Sequence, residues 1–325
     1  MRRSISKKVL INSCQETLKQ SIYSLIRVQR NNDEVGDVAI FTSRRSGGTW
    51  LLQIFGSQKD ILPITEPISL VRVPTAISEY LPFDRRGQNV TLDSYDVEDF
   101  NKYISDILSG DFIINAPWNI FDASFSFFPH RIVLKICASN CLYQWFQTNT
   151  SLDFIYLTRH PISQALSCLK KNYKPTALSF IQNHYYQKTY LNGEQIDKGL
   201  DTLDKDKPLK VHVLSWILEN IPILHRNDDT NMIHLTYEEL VKGGSEFIDE
   251  LGKQFQFQQL ERAKEAYGRP SKTTRRQIKH KLNEEIVGYW LEEVSEKEKS
   301  EIQDLLNIFD VDLYTAFDST PRKQI

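Results

Sequence analysis

The sequence predicts an α/β fold: one domain with a central parallel sheet flanked by helices. Three observations carry this. Short apolar runs at 38–41, 131–136, 154–157 and 232–235 alternate with stretches of helical character. The runs are continuously apolar rather than alternating, as expected of strands covered on both faces. No internal repeat or low-complexity linker divides the 325 residues, and a chain with 40% hydrophobic and 25% charged residues can bury a full core.

Composition excludes several classes. A formal net charge of −2 gives no hint of a nucleic-acid partner. There is no apolar run of about eighteen residues or more, so no transmembrane helix is expected. The N-terminus, MRRSISKKVLINSCQ, starts basic but lacks the apolar region and small-residue cleavage site of a signal peptide. The four cysteines, Cys14, Cys137, Cys141 and Cys168, form no CxxC pair and no His/Cys cluster at zinc spacing. They read as reduced thiols of a cytoplasmic protein, with no metal site.

Taken in order, residues 1–35 form an N-terminal helical extension, with weak apolar periodicity at Leu18, Ile22, Leu25 and Ile26, and 36–325 form the domain proper. The first strand runs into Thr42-Ser43-Arg44-Arg45-Ser46-Gly47-Gly48-Thr49 and then a helix from near Trp50 to Gly56. A short strand-like run, Asp60 to Ile64, leads to Thr65-Glu66-Pro67. Residues 70–110 are irregular except for a helix over 97–108. The apolar triplet Phe112-Ile113-Ile114 and an aromatic piece, Trp118 to Phe128, precede the strand at 131–136. Helices are expected over 140–147, from Pro161 onward, over 209–225, 246–255, 258–267 and 297–309, and Pro161 suits a first helical turn.

The stretch from Asp37 to Leu52 carries the chemistry. A strand, a small-residue turn bearing cations and a helix N-terminus make an anion site, because backbone N–H groups converge there and the helix dipole adds positive charge. The nucleotide triphosphate loop requires Lys-Ser/Thr after the glycines. Here the cation precedes them. Ligands of parallel sheets bind beyond the carboxyl ends of the strands, which gathers Arg45, Glu66, Lys135, Arg159 and Tyr237 in one crevice.

Two stretches resemble one family. Arg45-Ser46-Gly47-Gly48-Thr49-Trp50-Leu51 resembles the 5′-phosphosulfate loop of sulfotransferases that use 3′-phosphoadenosine-5′-phosphosulfate (PAPS). Tyr156-Leu157-Thr158-Arg159-His160-Pro161, with Ser167 eight residues after Arg159, resembles their 3′-phosphate motif. Weaker likenesses are Val133-Leu134-Lys135, the Tyr237-Glu238-Glu239-Leu240 element, and Glu66-Pro67, found in the carbohydrate-type and bacterial branches. The resemblance implies the P-loop-like sulfotransferase fold, PAPS as co-substrate and no metal. It places Arg45, Ser46, Gly47, Gly48 and Thr49 on the phosphosulfate, Arg159 and Ser167 on the 3′-phosphate, and Trp50 and Tyr237 by the adenine. Arg45 and Lys135 would neutralise charge in the transition state, and Glu66 would take the proton of an acceptor hydroxyl, on a glycan or other small alcohol. Partial burial should raise the Glu66 pKa toward a useful value. His130 and His160 are alternative bases, with His160 more naturally structural.

The sequence departs from the family in three places. Gly48 stands where many members have Thr or Ser, and Cys137 where cytosolic members have a histidine. The late basic run, with Arg269 and Ser271 as candidate 3′-phosphate contacts, lacks the usual Arg-Lys-Gly. The aromatic piece fits either an acceptor pocket or core packing. Two other readings remain: a P-loop kinase, which requires a magnesium ligand, and a non-catalytic nucleotide-binding protein on the same scaffold.

Overall fold

The computed structural model describes residues 20–30, 36–74, 78, 81, 97–117, 120–203, 206–226, 232–269 and 283–322. Five strands form one wholly parallel sheet: β1 (Val38–Thr42), β2 (Ile61–Thr65), β3 (Arg131–Cys137), β4 (Asp153–Thr158) and β5 (Met232–Thr236), in the order β2-β3-β1-β4-β5. Each coincides with an apolar run read from the sequence. Most of the predicted extension, residues 1–19, lies outside the described residues; 20–23 form a helical turn.

The helices are α1 (Gly48–Phe55), α2 (Glu98–Ser109), α3 (Tyr143–Asn149), α4 (Pro161–Leu169), α5 (Ala177–Ile181), α6 (His184–Tyr190), α7 (Gly193–Thr202) and α8 (Pro208–Leu224). After β5 follow α9 (Tyr237–Lys242), α10 (Gly244–Gln254), α11 (Leu260–Gly268), α12 (Asn283–Gly288), α13 (Trp290–Glu293) and α14 (Glu296–Ile308).

The period-2 alternation of strands divides the core between two faces. Ala39, Phe41, Ile132, Leu134, Ile136, Phe154 and Tyr156 pack with α2 and α3. Val38, Ile40, Val133, Ile155 and Leu157 point the other way, onto α1, α10 and α11. A third cluster is built from helices, chiefly α4, α5, α8 and α14. Helix α8 is buried along nearly its whole length, so its few polar residues can only face other buried groups.

From β1 the chain crosses to β2 at one edge, and from β4 it crosses to β5 at the other. The neighbours β1 and β4 therefore send their connections in opposite directions. That divergence opens a crevice at their carboxyl ends, where Arg45 and Arg159 follow the strands.

The aromatic piece serves the core only in part: Phe125 packs against the α2 and α3 side of the sheet. Trp118 lies outside the described residues; Phe121 and Phe128 are exposed, by 87% and 53%. This segment leads into the amino end of β3 and its neighbours Phe127 and Pro129 hold residues 27 and 29 through their carbonyls, so it lies away from the crevice. Of the apolar triplet, Ile113 and Ile114 are buried without pairing as a strand.

Candidate active site

The loop after β1 is held from beneath by buried polar groups. Thr42 Oγ1 donates to the Leu157 carbonyl (3.0 Å) and Ser43 Oγ to Asn220 Oδ1 on α8 (3.0 Å). Arg44 pairs with Glu219, also on α8, at 3.1 Å, and Gln164 Nε2 donates to the Arg44 carbonyl at 2.6 Å. Arg44 thus belongs to the scaffold. Arg45 adopts left-handed φ (65°), which turns the next side chain the other way.

Two glycines follow for separate reasons. Gly47 has φ 95°, and a Cβ there would meet the Tyr237 ring at 2.6 Å. Gly48 has an ordinary conformation, but a Cβ would lie 2.5 Å from the Thr42 methyl. This accounts for Gly48 where the family resemblance leads one to expect Thr or Ser: the space is already filled by Thr42. Helix α1 begins at Gly48, so its backbone N–H groups remain directed at the turn.

Arg159 follows β4 directly and is 9% exposed. Its Nε and Nη2 donate to Ser163 Oγ at 3.1 and 2.8 Å, and its Nη1 donates to the Arg45 carbonyl at 3.1 Å. Its guanidinium carbon lies 4.3 Å from the centre of the Tyr237 ring. Ser167 instead receives Arg45 Nε (3.0 Å), so the side chain bonded to Arg159 is Ser163, one turn into α4. The sequence reading missed Ser163, which lies in the first turn of α4 and faces back to the residue before the helix cap. Among the described residues neither Arg45 nor Arg159 has a carboxylate partner. The buried Glu238 carboxylate feels the Arg159 charge but bonds elsewhere, to the His160 N–H and the Tyr314 hydroxyl.

On the acid side, Glu66 has left-handed φ (51°) and its N–H donates to the Lys135 carbonyl at 2.7 Å. Lys135 Nζ donates to Glu66 Oε1 (2.6 Å) and to Thr49 Oγ1 (3.2 Å), which links the acid to the loop. Arg72 Nε donates to Glu66 Oε2 at 2.9 Å. The expectation of a raised Glu66 pKa is corrected here. Burial pushes it up, but Lys135, with Arg72 added, outweighs burial and holds the carboxyl below its ordinary value.

Cys137 and the two alternative histidines sit in other surroundings. Burial pushes the Cys137 thiol up to about 12, so it stays neutral. His160 is fully buried, stacks on Trp290 at 4.2 Å and donates Nε2–H to the Thr315 carbonyl; burial lowers its pKa to about 3. His130 begins the approach to β3, at the opposite end of the sheet from Glu66.

Trp50 stacks on Tyr267 with ring centres 5.0 Å apart, and its Nε1–H donates to the Tyr267 carbonyl at 3.2 Å. One face of the expected adenine platform is therefore covered by a residue the sequence did not flag. Tyr237 meets Trp50 edge-on at 6.2 Å and joins the tryptophan to Arg159. Arg269 is exposed and pairs with Glu265 along α11 at 3.2 Å. Ser271 lies outside the described residues. Among the described residues no cluster of His, Cys, Asp and Glu is arranged to hold a metal, and no helix is long and apolar enough to cross a membrane.

No family model and no curated protein matches the chain. Matches do come from solved structures. A sulfotransferase domain from the curacin biosynthetic pathway is 16% identical with a TM-score of 0.47, over 87% of this chain and 99% of that one. The sulfotransferase domain of a Synechococcus olefin synthase is 14% identical with a TM-score of 0.46, over 89% of this chain and 100% of that one. Mouse sulfotransferase SULT7A1, complexed with PAP, is 14% identical with a TM-score of 0.41, over 88% and 87%. These three solved structures are sulfotransferases.

Proposed function

We propose that residues 36–325 form a sulfotransferase that moves a sulfonate group from PAPS to a hydroxyl of an acceptor, a glycan or other small alcohol. The observation that carries this reading is the pair Arg45 and Arg159. The Arg159 guanidinium bonds the Arg45 backbone carbonyl beside a glycine turn, and neither arginine has a carboxylate partner among the described residues. Sequestering cations without counter-charge is costly, so the arrangement favours an anionic ligand with more than one charged group. Ser46 adds to this. Its hydroxyl is buried and has no hydrogen-bond partner among the described residues, as suits a donor awaiting a phosphate or sulfonate oxygen.

In this reading the loop N–H groups, Arg45, Ser46 and Thr49 hold the 5′-phosphosulfate. Arg159 with Ser163, and Ser167 beside Arg45, hold the 3′-phosphate. The adenine lies against the open side of Trp50 and Tyr237. PAPS supplies a sulfonate on a phosphate leaving group. The protein's own work is positioning and charge stabilisation. Glu66, kept ionised by its two cations, receives the acceptor proton, while Lys135 and Arg45 balance negative charge on the loop side.

The test is calorimetric titration with 3′-phosphoadenosine-5′-phosphate (PAP), with and without magnesium, beside ATP. The expected result is magnesium-independent PAP binding that weakens by at least about tenfold in Arg159→Ala. Binding of ATP with magnesium but not of PAP would overturn the reading in favour of a kinase.

A further inference from the structure

The connection after β2 turns back on itself. Ser69 N donates to the Glu66 carbonyl (3.2 Å), and Arg72 N and Val73 N donate to the Ser69 carbonyl (2.8 and 2.9 Å). Val73 is buried and anchors the turn, while Arg72 points back at the residue that began it. Backbone contacts fix Glu66 from other sides: its N–H reaches Lys135, and the Tyr103 hydroxyl donates to the Pro67 carbonyl at 2.6 Å. A left-handed glutamate is tolerated only where its surroundings over-determine it.

The two cations on Glu66 differ in kind. The Lys135 side chain is 5% exposed and shared with Thr49, whereas Arg72 is 56% exposed and bonds only Glu66 among the described residues. Any anion held by the loop competes with Glu66 for Lys135, because Thr49 belongs to that loop. As Lys135 is drawn toward the loop, the second cation must keep the carboxylate ionised and in place.

We propose that Arg72 is a positioning residue for Glu66: its guanidinium on Oε2 fixes the carboxylate while Lys135 on Oε1 is drawn toward the loop. This rests on the reading of Glu66 as the base and of the loop as the PAPS site. Among the described residues the charged and titratable groups facing Glu66 are Lys135 from β3, Arg72 from its own connection, and the neutral Cys137 thiol at the end of β3. Among the described residues Arg72 is thus the only cation facing Glu66 that does not also serve the loop. The depressed Glu66 pKa is consistent with the same geometry.

The experiment is a carbon-detected NMR titration of the Glu66 carboxyl in the full chain, with its signal assigned through Glu66→Gln. Wild type, Arg72→Met and Arg72→Lys are compared, each free and saturated with PAP. Arg72→Met should raise the Glu66 pKa by about one unit in the free protein and by more with PAP bound, and Arg72→Lys should recover most of the shift. PAP affinity should stay within about twofold in both variants, because Arg72 makes no contact with the loop. An unmoved Glu66 pKa in free Arg72→Met overturns the proposal whether or not PAP binds. A shift that PAP leaves unenlarged overturns the part assigned to Lys135. Absence of PAP binding in wild type is a failure of the PAPS reading instead, and the free-protein titration still decides the role of Arg72.

Discussion

Lys135 Nζ lies 2.6 Å from Glu66 Oε1 and 3.2 Å from Thr49 Oγ1, so one buried ammonium joins the candidate base to the candidate anion loop. A group that serves both sites should matter more to turnover than to binding. Lys135→Met is expected to lower kcat by about 10²–10³-fold, as loss of a preorganised charge does, while PAP affinity falls less than about tenfold. Single-turnover kinetics beside PAP titration measures the two effects; equal losses in both would make Lys135 a binding residue only.

Gly48 and Thr42 make a coupled pair. A Cβ on Gly48 would lie 2.5 Å from the Thr42 methyl, while the Thr42 hydroxyl is needed for its bond to the Leu157 carbonyl. Gly48→Ala should therefore cost about 1–3 kcal/mol from overpacking. Thr42→Ser removes the methyl and keeps the hydroxyl, so the double variant should recover at least half of that loss. Urea unfolding of the four-member cycle reads the coupling directly. Additive effects would show that the loop relaxes around the new methyl.

The strands were legible because each is a short, continuously buried apolar run, and the loop after β1 because its composition has few other uses. Other features depended on distant parts of the chain. Helix α7 was missed because its residues are largely polar and Leu200 is exposed; its local signal was the capping box of Asn192 and Gln195. Arg44 and Arg45 are adjacent and chemically alike, and only Glu219, 175 residues from Arg44, separates their roles. Burial of Glu66 could be anticipated from its place after a strand. The lysine and arginine that reverse its expected pKa shift required the fold.

His160 supplies a pH test of the scaffold. Its pKa is lowered by burial to about 3, below its value in an unfolded chain, so the unfolded state binds the extra proton first. The sign is therefore loss of stability as pH falls from about 6.5 toward 3, with none lost above that window. His234, lowered to about 4 by burial, acts in the same direction, whereas Glu238, raised by burial, acts in the opposite one. Comparison with His160→Gln, which can still donate to the Thr315 carbonyl, isolates one group. Between about pH 6 and 4, wild type should lose stability more steeply than the variant by up to about 1.4 kcal/mol per pH unit. Parallel curves in urea unfolding would mean that His160 protonates without penalty.

The neighbouring arginines should separate fold from function. Arg44→Gln leaves the Glu219 carboxylate, 2% exposed, without its cation. Breaking such a pair is expected to cost about 3 kcal/mol, the low end for buried ion pairs because Arg44 itself is partly exposed. Arg45→Gln removes a cation whose side chain bonds the Ser167 hydroxyl, so stability should change by no more than about 1 kcal/mol. PAP affinity should respond in reverse, with Arg45→Gln losing at least about tenfold and Arg44→Gln, once folded, losing little. Urea unfolding and calorimetry on both variants give the comparison. If Arg44→Gln impaired binding more than Arg45→Gln in the folded protein, the loop's anion would lie on the α8 side, and the assignment of the two arginines would have to be exchanged.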